Sequence, residues 1–212
     1  MKTSFQHFTE DSSVTQVENN TWKGVLSDRW GIGKTPNGGY SMALATRAIS
    51  GSILHKDPLS ISANYIERVD FGEAIIKVDP LEATKSLSTA RAMLFQENKL
   101  KIIFTATFTD FSKSNGLDLS TRHSPNFEPY DDCVLQPFKE GFNPMLEKSI
   151  EKKYCSNSQW WESNNEENEA CLNLYMSWPE KDAADLYSLI WIFAQIAFLW
   201  IVVYVITRFF VS

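Results

Sequence analysis

Residues 40–54 carry apolar side chains on nearly every side: Tyr40, Met42, Ala43, Leu44, Ala45, Ala48, Ile49, Ile53 and Leu54, with a polar stripe only near Arg47 and Ser50. A helix that apolar must be covered on most of its sides. The cover follows at once in the chain. Leu59, Ile61, Ala63 and Tyr65 alternate with Ser60, Ser62 and Asn64, which predicts a strand with the first set facing inward. Residues 74–81, 86–96 and 100–109 predict three more strands, the last with Ile102, Phe104, Ala106 and Phe108 on one face. The turns between them are short, which favours antiparallel neighbours. Residues 15–26, ahead of the helix, read as a strand or hairpin. The expected fold class is α+β, an antiparallel sheet wrapped around a central helix.

The residues that open and surround this helix also resemble a known family. Pro36-Asn37-Gly38-Gly39-Tyr40, Ala43-Leu44-Ala45-Thr46-Arg47-Ala48, Asp57-Pro58-Leu59-Ser60 and Ser86-Leu87-Ser88-Thr89-Ala90-Arg91 are similar to the thioesterase-like superfamily. These are the double-hotdog acyl-CoA thioesterases related to bacterial thioesterase II. The resemblance runs from about Trp22 to Phe108 and resumes more weakly from about Ile150 to Ile196. It implies a hotdog fold and hydrolysis of acyl-CoA thioesters, with water as nucleophile and no metal or cofactor.

Candidate site residues follow. The Gly38-Gly39 turn is either a source of backbone N–H groups for a developing oxyanion or simply a tight turn that lets the helix start close to the sheet. Asn37, Gly38, Gly39 and Tyr40, with Arg91 as a partner for a coenzyme A phosphate, form the candidate substrate-binding set; Arg91 can equally be a solvent-facing strand residue. The candidate catalytic residues are Asp57 and Gln195. Asp57 lies where the strand after the helix begins, though a turn Asp before Pro reads the same way. Gln195 stands where the resemblance implies an Asp in the second-half helix. A Gln can orient water but cannot take its proton, so activity of this chain is expected to be weak or absent. His55 reads as a surface turn residue.

A net charge of −6 without a basic block excludes a nucleic-acid partner as the natural reading. Cys133, Cys155 and Cys171 show no Cys-x-x-Cys spacing, which speaks against a disulfide framework or a zinc site and fits a reducing, cytoplasmic setting. Five regions are expected: a flexible N-terminus at 1–13, a complete hotdog at 14–112, an irregular linker at 113–144, the start of a second hotdog at 145–185, and an apolar helix at 186–212. Within the last, residues 189–207 contain Gln195 as the only strongly polar side chain and are long enough to span a bilayer. Two expectations compete there: a C-terminally truncated family member with a foreign apolar tail, or a membrane anchor. The candidate partners are an acyl-CoA substrate or ligand, a second copy of the chain and, through the tail, a membrane. The rival to an enzyme is a non-catalytic acyl-binding or membrane-anchored hotdog protein.

Overall fold

The structure is a computed structural model that describes residues 4–113, 127–159, 161 and 172–178. A helix α1 (Ser4–Asp11) leads into a hairpin, β1 (Val14–Glu18) and β2 (Thr21–Leu26), turned at Asn20 with φ 54°. A short 3-10 turn and the small ladder of β3 (Gly31–Ile32) with β4 (Thr35–Pro36) precede the central helix α2 (Gly38–Ser52). Four long strands follow: β5 (Asp57–Tyr65), β6 (Gly72–Ala83), β7 (Ser88–Gln96) and β8 (Lys99–Thr109). They join the hairpin in one antiparallel six-stranded sheet of order β1-β2-β6-β7-β8-β5.

The wrapping predicted by the apolar helix is what forms. Ten of the fifteen α2 residues are buried, including Tyr40, Ala43, Leu44, Ala45, Ala48 and Ile49. Beneath them lie Ala74, Ile76 and Val78 of β6, Ala90, Ala92 and Leu94 of β7, and Ile102, Phe104, Ala106 and Phe108 of β8. Register sets small opposite small, Ala90 with Ala106, and large opposite large further along, Leu94 with Ile102. Each large side chain so enclosed contributes roughly 1.5–3 kcal/mol. At the far end of α2 the ring of Trp22 lies against Gly51 and its Nε1 donates to Ser52 Oγ at 2.8 Å.

The alternation expected of β5 is only partly kept. Ile61 and Ala63 pack against the core, but Leu59 is 56% and Tyr65 54% exposed. The β5–β8 register shifts between Pro58 and Ser60, which puts Leu59 at an irregularity of an edge strand. The N-terminus also differs from expectation. Residues 4–11 are helical, and Phe8 is fully buried against Trp30, with ring centroids 5.1 Å apart, and against Tyr40 at 6.1 Å. Two phenylalanines in a polar stretch, Phe5 and Phe8, were too little to signal it.

A second, smaller sheet is built from β9 (Val134–Leu135), β10 (Glu151–Tyr154) and β11 (Leu174–Ser177), with β10 in the middle. β9 lies in the stretch read as linker, so part of that stretch is ordered by pairing. Leu146, Ile150 and Trp178 join the hotdog core, Trp178 through ring contacts with Phe8 and Trp30 at 5.8 and 6.3 Å. The expected apolar helix at 186–212, the truncation or anchor built on it, and Gln195 lie outside the described residues. Among the described residues no helix is long and apolar enough to cross a membrane.

Candidate functional site

The start of α2 is fixed by Asn37. Its backbone is extended, and its side-chain oxygen accepts from the N–H groups of Gly39 at 2.8 Å and Tyr40 at 3.3 Å. This is an N-cap, and it uses two of the donors that a helix start leaves open. An oxyanion could compete for Gly39 or Tyr40 only by displacing the Asn37 side chain. Tyr40 is itself a core residue. Its hydroxyl is held by Asp11 O at 2.7 Å, Val25 O at 3.0 Å and the Ser27 N–H at 3.2 Å, and burial pushes its pKa far up. It cannot serve as an acid or base near neutrality.

A cleft of about 330 Å³ opens beside this helix start. Thr35, Pro36, Gly38 and Ser41 form one wall, and Tyr65 with residues 66–69 forms the other. β5 runs back along α2, so its last residue reaches the beginning of the helix. The Tyr65 hydroxyl sits so close to Gly38 that a Cβ there would lie 2.6 Å from it. Although half of Tyr65 is exposed, this inturned end is desolvated, which raises its pKa. At the rim, Lys101 Nζ holds Glu67 Oε2 at 2.9 Å, and this bond lowers the Glu67 pKa. Arg68 donates to Lys34 O at 2.9 Å.

The other sequence candidates lie elsewhere. Asp57 begins β5, beyond the opposite end of α2, and its Oδ2 accepts the Phe111 N–H at 2.8 Å. Fifteen helical residues separate the two ends by about 22 Å. Arg91 points away from α2, between the inward Ala90 and Ala92, and pairs with Asp79 at 2.8 Å. The structure therefore brings Asn37, Gly38, Gly39 and Tyr40 together, but neither Asp57 nor Arg91 with them. His55, expected at the surface, is 7% exposed. Its Nδ1 lies 2.7 Å from Ser88 Oγ and its Nε2 3.3 Å from Lys85 O. Lys85 O can only accept, so Nε2 donates to it, and the two contacts form a buried tie between the end of α2 and the start of β7.

Sequence reasoning did not single out the Tyr65 hydroxyl, Ser41 or the Glu67–Lys101 pair. The signal for Tyr65 was present: an antiparallel return of nine strand residues along a fifteen-residue helix must end near the helix start. Two of the cysteines, read from their spacing as neither a disulfide framework nor a zinc site, are free thiols that nevertheless lie side by side. Cys133 and Cys155 are both buried with their sulfurs 3.5 Å apart, and Glu128 completes a group of three ligand-type atoms within 4.8 Å of one another. Spacing along the chain could not show this, because the pair meets across strands.

Residues 26–109 match the family described as the acyl-CoA thioesterase N-terminal domain. The thioesterase-like protein TwmA of Talaromyces wortmannii is 29% identical over 92 residues, which cover 42% of this chain and 26% of TwmA. The chain thus aligns with only about a quarter of that relative. Among solved structures, a hot dog fold protein of unknown function from Alicyclobacillus acidocaldarius superposes with a TM-score of 0.77 at 15% identity, over 89% of this chain and 69% of the other. The acyl-CoA thioesterase II TesB2 of Mycobacterium marinum gives a TM-score of 0.67 at 13% identity, over 89% and 68%. At such identities these two show the hotdog fold alone. The stretch 26–109 is thus similar in sequence to an acyl-CoA thioesterase N-terminal domain, and the chain shares the hotdog fold of these structures.

Proposed function

We propose that this chain is an acyl-CoA thioesterase-like protein that takes an acyl-CoA thioester in the cleft at the start of α2. The observation that carries the reading is the position of that cleft. It lies within the stretch that matches an acyl-CoA thioesterase domain, beside a helix start whose backbone and dipole favour a polarised carbonyl. Ser41 and Tyr65 supply hydroxyl groups to the thioester. Arg68, which lines the cleft, is the cation offered to a coenzyme A phosphate. The family reaction is hydrolysis to a free acid and coenzyme A with water as nucleophile. Gln195 keeps the role of orienting that water, whereas Asp57 and Arg91 have no part in the cleft.

A second reading is favoured by two contacts. Asn37 already occupies the Gly39 and Tyr40 donors, and Glu67, the one carboxylate lining the cleft among the described residues, is held ionised by Lys101. A carboxylate with a lowered pKa is badly matched to deprotonating water at neutral pH. This half would then bind an acyl-CoA without cleaving it, as a non-catalytic acyl-binding hotdog. A cytoplasmic setting and self-association through the β5 edge, which pairs only with β8 among the described residues, belong to the same proposal.

The test is a thiol-release assay on the full chain with short, medium and long acyl-CoAs, run beside direct binding of the same compounds. Turnover supports the enzyme. Saturable binding without turnover supports the acyl-binding reading. Absence of both overturns the assignment of an acyl-CoA ligand.

A further inference from the structure

The small sheet holds a pair of thiols placed for a covalent bond. β9 and β10 run antiparallel with Leu135 opposite Lys153 and Val134 opposite Tyr154. One step further along the same ladder, Cys133 faces Cys155. The Gln136 N–H donates to Lys152 O at 2.9 Å, so that pair is a hydrogen-bonded one. Hydrogen-bonded and non-hydrogen-bonded pairs alternate along an antiparallel ladder, so Cys133 and Cys155, three steps on, form a non-hydrogen-bonded pair. The Cys155 N–H confirms this by donating the other way, to Asn173 O at 3.0 Å. Cα atoms at such a pair stand about 4.5 Å apart with side chains on the same face, inside the range that a disulfide spans. The sulfurs are already 3.5 Å apart.

We infer that Cys133 and Cys155 are an oxidative modification site: a dithiol that closes into a reversible cross-strand disulfide and fastens β9 to β10. Both thiols are buried, at 5% and 4% exposure, so the oxidant must be small, and a hydroperoxide fits. One thiolate attacks the peroxide: an S–O bond forms, the O–O bond breaks, and hydroxide leaves. The second sulfur then attacks the sulfenic acid: the S–S bond forms, the S–O bond breaks, and water leaves. In sum two thiols and one hydrogen peroxide give a disulfide and two waters, the sulfurs losing the two electrons that the peroxide gains. Burial pushes the Cys133 thiol up to about 11, so closure is slow near neutrality and faster as pH rises. The bond would close the loop from 133 to 155, which holds Phe138, Phe142 and Met145 at the surface, and would restrict it in the unfolded chain. The inference is independent of what the cleft binds.

The test treats the folded full chain with hydrogen peroxide, blocks remaining thiols, and maps cysteine peptides by mass spectrometry before and after dithiothreitol. The expected result is a reducible 133–155 cross-link that also forms in Cys171→Ser. The oxidised chain should melt about 5 °C or more above the reduced one, a gap absent from Cys133→Ser/Cys155→Ser. Alkylation of both residues after oxidation of the folded wild type overturns the inference, as does a cross-link that needs Cys171. A pair that resists peroxide until a chelator strips zinc also overturns it, in favour of a metal site completed by Glu128.

Discussion

The six-stranded sheet around α2 and the three-stranded sheet beside it are held together in different ways. The first is a broad apolar core: an alanine-rich helix against strands whose inward residues recur with period two, with Phe104, Phe108 and Leu94 fully enclosed. The second has strands of two to four residues. They depend on side chains that seldom define a core. Lys152, 6% exposed, is buried against Glu147 at 2.6 Å; the Tyr154 and Trp161 rings meet edge to face, as do those of Tyr130 and Tyr175; and Tyr130 bonds Glu151. Apolar packing adds over many contacts and survives the loss of one. A buried ion pair and a few rings do not, since removing one partner strands the other. The hotdog should therefore unfold as one unit and the small sheet open locally.

The largest expected effect tests that difference. Phe104→Ala should destabilise the whole chain by about 3–5 kcal/mol in denaturant unfolding. Tyr154→Ala, equally buried in the small sheet, should leave the main transition in place and instead expose residues 127–159 to limited proteolysis. A single shared transition that Tyr154→Ala lowers as much as Phe104→Ala does would break the comparison.

Alkaline pH should separate the two regions next. The Cys133 thiol sits in the small sheet at about 11, above its ordinary value of 9.0. Below pH 9 it is protonated in both states and its contribution is complete. Between 9 and 11 the unfolded chain releases the proton more readily, so stability falls as pH rises. Tyr40, in the hotdog, is raised in the same direction from 10.0 and further, so its loss begins later. Hydrogen exchange followed from pH 8 to 10.5 should show β9 and β10 loosening before α2, and Cys133→Ser should remove the difference.

Smaller effects sharpen the site. Asn37→Ala removes the cap of α2 and should cost about 1 kcal/mol by thermal unfolding. It also frees the Gly39 and Tyr40 N–H groups towards the cleft, so any turnover should rise or stay level. Arg91→Ala breaks an exposed pair with Asp79 on the outer sheet face and should cost about 0.2–1 kcal/mol.

The hotdog was legible because its period-two strands and all-round apolar helix state which faces must be covered. α1 was not, because its polar stretch shows no clear apolar face, although Phe8 is fully buried. In the small sheet β10 and β11 fall in the stretch read as the start of a second hotdog, but β9 was not legible, because a two-residue strand has no period, and Lys152 looks like a surface residue until Glu147 is seen beside it. At the site, Asn37 to Tyr40 stood out as a turn opening a helix, yet the cap that consumes their donors depends on one side-chain rotamer. Asp57 and Arg91 share the family-like stretch with them but sit beyond the opposite end of α2 and on the opposite sheet face, a separation that only the topology fixes.

The central claim is that the cleft between the start of α2 and Tyr65 is where an acyl-CoA is held. Calorimetric titration of a medium-chain acyl-CoA into the full chain tests it with three variants. Gly38→Leu fills the cleft, and the side chain it meets, Tyr65, has room to swing outward, so the fold should persist. Asp57→Ala and Arg91→Ala alter the two candidates that lie elsewhere. The account predicts that Gly38→Leu weakens binding by about tenfold or more, a loss of roughly 1.4 kcal/mol, while the other two bind as the wild type does. Unchanged affinity in a folded Gly38→Leu, or a tenfold loss in Asp57→Ala or Arg91→Ala, would contradict it.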